Sequence, residues 1–294
     1  MSAPLTVPVA TGSTSVADVT RRPGVRAVYV VEVRKLLAQS MVRAVFLLLV
    51  VAPFAFAGGL SLQDTVPADT LFGRWSLTSG FAIPLLVLGF AGAWAIPLLT
   101  ALIGGAVFAA EDGLGTWPTL LTRSVSRSAV FAGKTLAALS WALLVMVVLA
   151  VMSLLAGVLM VGRSPLVGLD GAPLSAGRAS WLALAAWGID LLPALAFSAM
   201  AVFFSVLSRR VTVGIGAPVV IGLLMQLSSL VAGLGGVRFL LLSSAFDAWH
   251  GFIRRDPYGG PAWSGALISL AYTVVLLAVA RELFLRRDVS GDRR

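Results

Sequence analysis

Six runs of mostly apolar residues, each about twenty long or longer, decide what this chain can fold into. They cover residues 42–60, 81–109, 130–161, 181–207, 213–233 and 263–284. About twenty helical residues at 1.5 Å each match the roughly 30 Å hydrocarbon core of a bilayer. Inside that core every backbone N–H and C=O needs a partner within its own segment, which a helix provides. Only 12% of the residues are charged, where a soluble domain carries about 25%. The expected fold is therefore an all-α integral membrane protein with six transmembrane helices. The second and third runs are long enough to tilt or to project beyond the hydrocarbon.

The basic residues orient these helices. With the N-terminus in the cytoplasm, the inner set before the first run is Arg21, Arg22, Arg26, Arg34, Lys35 and Arg43. Arg123, Arg127 and Lys134 follow between the second and third runs, and Arg209 and Arg210 between the fourth and fifth. Arg281, Arg286, Arg287, Arg293 and Arg294 close the chain, leaving only Arg74, Arg163, Arg178, Arg238, Arg254 and Arg255 outside. Positive charge collects on the cytoplasmic side of a membrane protein, so both termini are expected there. The same asymmetry accounts for most of the net charge of +9 and makes a nucleic-acid partner unnecessary.

Three stretches lie outside the runs. Residues 1–23 are rich in Ser, Thr, Pro, Ala and Val, lack the continuous apolar core of a signal peptide, and are expected to form a disordered cytoplasmic tail. Residues 24–40 interleave Val25, Val28, Tyr29, Val31, Leu36 and Leu37 with Arg26, Glu32, Arg34 and Lys35, which suits an amphipathic elbow helix at the membrane surface. Residues 234–262 contain an apolar stretch too short to cross, followed by Asp247, Trp249, His250, Arg254 and Arg255. An outer re-entrant or interfacial segment between the fifth and sixth helices is expected. The transmembrane domain then spans 24–287, with a cytoplasmic tail at 288–294.

Little catalytic chemistry is present. The chain has no cysteine and one histidine, His250, which excludes disulfides, thiolate sites and a multi-histidine metal centre. Gly133-Lys134-Thr135 ends like a phosphate-binding loop, but Ser128 stands where its first glycine belongs and no strand precedes it. No paired carboxylates or His-Glu zinc motif lie within a run.

The informative polar stretch joins the second and third runs. Glu111 and Asp112 leave one helix, Gly113 and Gly115 permit a sharp turn, and Leu114, Trp117, Leu120 and Leu121 offer an apolar surface before Arg123 and Arg127. This is more than a tether requires and suits docking. Glu111, Gly115-Thr116, Leu120-Leu121, Ser126-Arg127 and Lys134 together resemble the pattern of ABC-2 permeases, the membrane subunits of type 2 ABC exporters. Ser124 departs mildly from that pattern, which often has Pro there. The overall plan, from basic elbow to short basic tail, extends the resemblance over residues 24–287.

The resemblance implies a non-catalytic permease in a bacterial plasma membrane, moving an amphiphilic small molecule such as a drug, antibiotic, peptide or lipid outward. It implies no cofactor in this chain, ATP and Mg being bound by a separate ATPase subunit, and a second permease subunit, identical or not, within the lipid membrane. Contacts to the ATPase are then expected at Arg34, Lys35, Glu111, Asp112, Gly115, Thr116, Arg123 and Arg127, with Arg209 and Arg210 as further candidates.

For the transport path the sequence offers Asp190, well inside the fourth run, with Phe203 and Gln226. A carboxylate facing lipid at that depth costs roughly 2.5–3.5 kcal/mol, so Asp190 is expected to face the bundle interior, as a contact for a cationic substrate, a proton-linked switch, or a hydrogen-bonding partner of a neighbouring helix. Pro84, Pro97, Pro193 and Pro218 are candidate kinks, and the pairs Gly89/Gly92, Gly104/Gly105 and Gly214/Gly216, with Gly222, are candidate sites of close helix approach. The competing functions are an intramembrane lipid-modifying enzyme, which needs a compact polar set in the bilayer, and a scaffold without a transport cycle.

Overall fold

The computed structural model describes residues 24–63, 72–117, 125–228, 238–253, 256 and 258–287. The tails at 1–23 and 288–294 lie outside them, as do Leu120, Leu121, Arg123, Arg254 and Arg255. The chain opens with Val25–Ala38 (α1), which Gln39 in extended conformation separates from Ser40–Ser61 (α2). Ile83–Phe90 (α3), a π-helical turn at Ala91–Ala95 and Ile96–Ala106 (α4) follow as one rod, and Ala109–Leu114 (α5) is a short helix beyond it. Then come Arg127–Met160 (α6), Ala176–Ser208 (α7), Val211–Leu227 (α8), the single turn Leu242–Ala245 (α9) and Gly260–Leu285 (α10). A two-stranded antiparallel ladder, Leu166–Val167 with Pro173–Leu174, joins α6 to α7 and adds a small β element to the expected all-α fold.

Five helices are long and apolar enough to cross a membrane: α2, the rod Gly80–Ala106, α6, α7 and α10. The fifth expected run forms α8, an apolar helix of 17 residues and about 25 Å. Residues 229–233 of that run lie outside the described residues. The outer segment expected at 234–262 contains short helical turns at Arg238–Leu240, Leu242–Ala245 and Ala248–Phe252.

The bundle is built around α7. Within its most apolar window 61% of residues are buried, against 11% for α10, so α7 is the centre and α10 the edge. Alanines make the centre compact: Ala179, Ala183, Ala186, Ala194, Ala196, Ala199 and Ala201 are all inside. Between α4 and α8 the backbones nearly touch, since a Cβ on Gly105 would lie 2.4 Å from the Gly214 carbonyl carbon. Glycines allow this approach because they carry no side chain.

The prolines divide into two kinds. Pro193 and Pro218 lie inside α7 and α8, as does Pro53 inside α2, which the sequence reading passed over. Pro84 and Pro97 instead sit in the first turns of α3 and α4, where a missing N–H matters least. The π turn immediately before Pro97 opens the rod where that N–H is lacking.

Candidate functional site

The end of the bundle that carries α1 and α5 holds a buried charge network. Lys134, near the start of α6, is 1% exposed. Its ammonium donates to Glu32 Oε1 of α1 at 2.8 Å, to Glu111 Oε1 of α5 at 3.0 Å and to the Val107 carbonyl at 3.1 Å. All three N–H bonds are thereby used. Glu111 Oε1 also accepts from Lys35 of α1 at 2.5 Å, and its Oε2 accepts from the Thr116 hydroxyl. Burial alone would raise the Glu111 carboxyl. The Lys134 charge and the hydrogen bonds from Lys35, Thr116 and Lys134 outweigh burial and bring it down to about 2.

Local sequence sets this geometry. Val28, Glu32 and Leu36 recur every four residues and share one face of α1, which packs on α6 where a Cβ on Gly133 would come 2.7 Å from Val28. The Tyr29 and Ser140 hydroxyls, 3.1 Å apart, extend the contact. Gly115, with φ +63°, ends α5 in the left-handed conformation that glycine adopts without strain, and Thr116 turns back onto Glu111. Ser126 caps α6, its hydroxyl accepting the Ala129 N–H at 3.2 Å.

A second layer joins α10. Arg287 donates to Asp112 Oδ2 at 3.0 Å and to the Val206 carbonyl of α7 at 3.3 Å. Arg127 donates to the carbonyls of Leu285 at 3.2 Å and Arg287 at 2.6 Å, so a cation sits against the C-terminal end of α10. Between the layers lies an aromatic cluster. Phe108 packs on Trp117, Phe131 and Phe284 with ring centroids 6.3, 5.5 and 5.2 Å away, and Lys134 lies 5.9 Å from the Trp117 ring centre. Trp117, read from sequence as part of an outward docking surface, is 6% exposed and faces inward, because its large ring gains more from this cluster than from solvent.

Of the residues expected to meet an ATPase, Lys35, Glu111, Asp112, Thr116 and Arg127 are thus engaged inside the chain. Arg34, Gly115, Arg209 and Arg210 are exposed, and Leu114 at the tip of α5 is 71% exposed. Glu32, Phe108, Phe284 and Arg287 were not singled out. For Glu32 the signal was its place between Val28 and Leu36. For Phe284 and Arg287 there was none, since their partners lie far away in sequence. Gly133-Lys134-Thr135 is absorbed into the helix contact and the charge network.

The transport-path candidates are not gathered together. Asp190 is fully buried, as expected, and neither carboxylate oxygen has a hydrogen-bond partner among the described residues. The hydrogen bond to a neighbouring helix is therefore not found there. Trp187, one turn before it, donates to the Pro84 carbonyl at 3.1 Å. Phe203 is half-buried about 20 Å further along α7, edge-on to Phe204 at 5.1 Å. Gln226 is half-buried near the end of α8. His250 bonds through Nδ1 with the Asp247 backbone carbonyl at 2.7 Å, while Arg254 is outside the described residues.

A helical bundle with five helices long and apolar enough to cross a bilayer, and a buried charge network at one end, is that of a multi-pass membrane protein. The family model described as ABC-2 family transporter protein matches residues 29–225, two thirds of the chain, and the chain belongs to that family. It is accordingly a membrane permease component of ABC-type transport. A search among curated proteins finds no match to the chain.

Proposed function

We propose that this chain is the membrane-spanning subunit of an exporter driven by ATP hydrolysed on a separate subunit, and that it works with a second permease copy. The observation that carries this is the Glu111 junction, where one carboxylate holds α1, α5 and α6 together while Gly113, Leu114 and Gly115 remain exposed. A force applied to that exposed turn reaches three helices through groups that are already saturated and therefore stiff. The ATPase docks on the turn, on Arg34 and on Arg209–Arg210, with Arg123 as a further contact. Lys35, Glu111, Asp112, Thr116 and Arg127 transmit the motion. Rigid displacement of packed helices is an established route to alternating exposure.

The basic end then faces the cytoplasm with both termini, α8 is the fifth of six spans, α1 is the elbow, and residues 234–262 re-enter from outside. The Lys/Arg asymmetry supports that orientation. The transported molecule is amphiphilic and leaves the cell. The test is to reconstitute the chain with the ATPase that co-purifies with it and measure nucleotide-driven transport of a fluorescent amphiphile. Glu111→Lys, and separately Arg127→Glu, should abolish transport while the ATPase still turns over. Transport at the wild-type rate in both variants would overturn the proposal, as would nucleotide hydrolysis by the purified chain alone.

A further inference from the structure

We propose that the crevice between α2 and the rod Gly80–Ala106 holds one membrane phospholipid with an ethanolamine headgroup. An acyl chain lies along α2, and the headgroup sits among Glu32, Lys35 and Gln39. This is a site for a resident lipid, separate from whatever the permease transports, and it needs no ATPase.

Two cavities open along the same seam. The larger, about 400 Å³, lies between Leu49, Ala52 and Phe56 of α2 and Ala91, Ala95 and Leu98 of the rod. The smaller, about 60 Å³, lies between Met41 of α2 and Leu102 and Ala106 of the rod, and Glu32, Lys35 and Gln39 give it a polar wall. Met41, Leu48, Ala52 and Phe56 follow one another at steps of seven, four and four, so one face of α2 lines both cavities. On the rod the order runs back from Ala106 to Ala91, as two antiparallel helices require. The cavities are therefore successive parts of one crevice.

The crevice exists because α2 packs chiefly on α6 and meets the rod at the end away from α1, where the Phe56 and Phe90 rings lie edge to face 5.8 Å apart. Leu49 and Leu149 are buried and form its floor, while Leu48, Phe90 and Leu98 stand exposed on its rims. From Met41 to Phe56 it runs about 22 Å, somewhat more than one leaflet of a hydrocarbon core roughly 30 Å thick. That is the shape of an acyl chain.

The polar wall selects the headgroup. Unlike Lys134, Lys35 uses only one of its three N–H bonds, on Glu111, and its side chain is 41% exposed. Its ammonium therefore has donors left for a phosphate, and the exposed Gln39 amide stands beside it. Glu32 is 6% exposed, and among the described residues only its Oε1 is engaged, by Lys134. A buried carboxylate oxygen beside a cavity calls for a donor. The primary ammonium of ethanolamine supplies one, on the same headgroup as the phosphate. Choline carries no N–H, and a glycerol headgroup carries no positive charge to offset Glu32. Two acids, Glu32 and Glu111, already balance Lys35 and Lys134, so a zwitterion adds no net charge.

The test is native mass spectrometry of the purified full-length chain released from nanodiscs. The phospholipids share their acyl chains and differ in headgroup: ethanolamine, its monomethyl and dimethyl derivatives, choline and glycerol. Wild type should retain one ethanolamine lipid per chain, about tenfold better than the choline or glycerol lipid. Retention should fall along the methylated series, most sharply at choline, where the last N–H is lost; this series needs no variant. Ala52→Trp, which fills the crevice from its wall, should abolish retention of every lipid, and Val51→Trp, on another face of α2, should leave it intact. Glu32→Gln should remove the preference for ethanolamine while the chain still holds lipid. Equal retention of ethanolamine and choline lipids, or full retention in Ala52→Trp, would overturn the proposal. So would a lipid-free wild-type dimer that Ala52→Trp splits into monomers, since a second copy would then occupy the crevice. Loss of ATP-driven transport bears on none of these results, so the two readings fail separately.

Discussion

Lys134 shows how much a single residue carries in this fold. Its ammonium lies between two carboxylates and a carbonyl with almost no exposure. Breaking a buried ion pair by removing one partner costs about 3–5 kcal/mol, because the other charge stays buried without compensation. Lys134→Met should therefore lower thermal stability of the purified protein by that order. Pairing it with Glu32→Gln should recover part of the loss, since one orphaned charge is gone. Glu111 makes the complementary prediction in pH. Its carboxyl is held at about 2 against an ordinary 4.5, so its contribution is complete above pH 4.5 and fades as the pH falls toward 2. The stability gap between wild type and Glu111→Gln, read from unfolding curves, should be level from pH 7 to 5 and close below pH 4.5.

At the scale of elements, the sequence was most legible where a helix answers to the bilayer. Length and hydropathy placed α2, α6, α7 and α10, because those constraints act along the chain. The glycine pairs were also visible, though not their partners: Gly105 meets Gly214, and Gly222 meets Phe197. Gly105→Val would drive a side chain into backbone that cannot yield, at a cost of about 1–3 kcal/mol or more. The fraction of protein recovered as a monodisperse species should fall accordingly. Gly89→Ala, which meets nothing within 4 Å, should leave that fraction unchanged. Less legible was how α1 would sit. Its mixed surface suggested a helix lying on the membrane, yet Glu32 is buried on the face it turns to α6. Composition along one helix does not report which charge has a partner on another. The same holds for Trp117, whose apolar surface was evident and whose inward direction depends on Phe108 and Phe284.

Taken whole, the molecule carries the Lys134 network at one end and packs α10 on the segment around Ala248 at the other. The far end can be examined directly because the chain contains no cysteine. Gly265→Cys with Ala248→Cys places two Cβ atoms about 3.4 Å apart, close to disulfide geometry. Mild oxidation should join them, seen as a mobility shift that reductant reverses, and should arrest transport if that end must open. Failure to join would contradict the packing of α10 on the segment around Ala248. The π turn at Ala91–Ala95 has a consequence for movement. A π turn holds one residue more than an α turn, so the rod carries spare length at its middle. Removing Ala93 should let it close into plain α-helix with the flanking faces still in phase, whereas a deletion within α4 would rotate everything beyond it by about 100°. Passing the wide turn along the rod would let one half slide by about 1.5 Å against its neighbours while every other backbone bond stays closed: a small, quiet stroke available to a helix that must otherwise remain rigid.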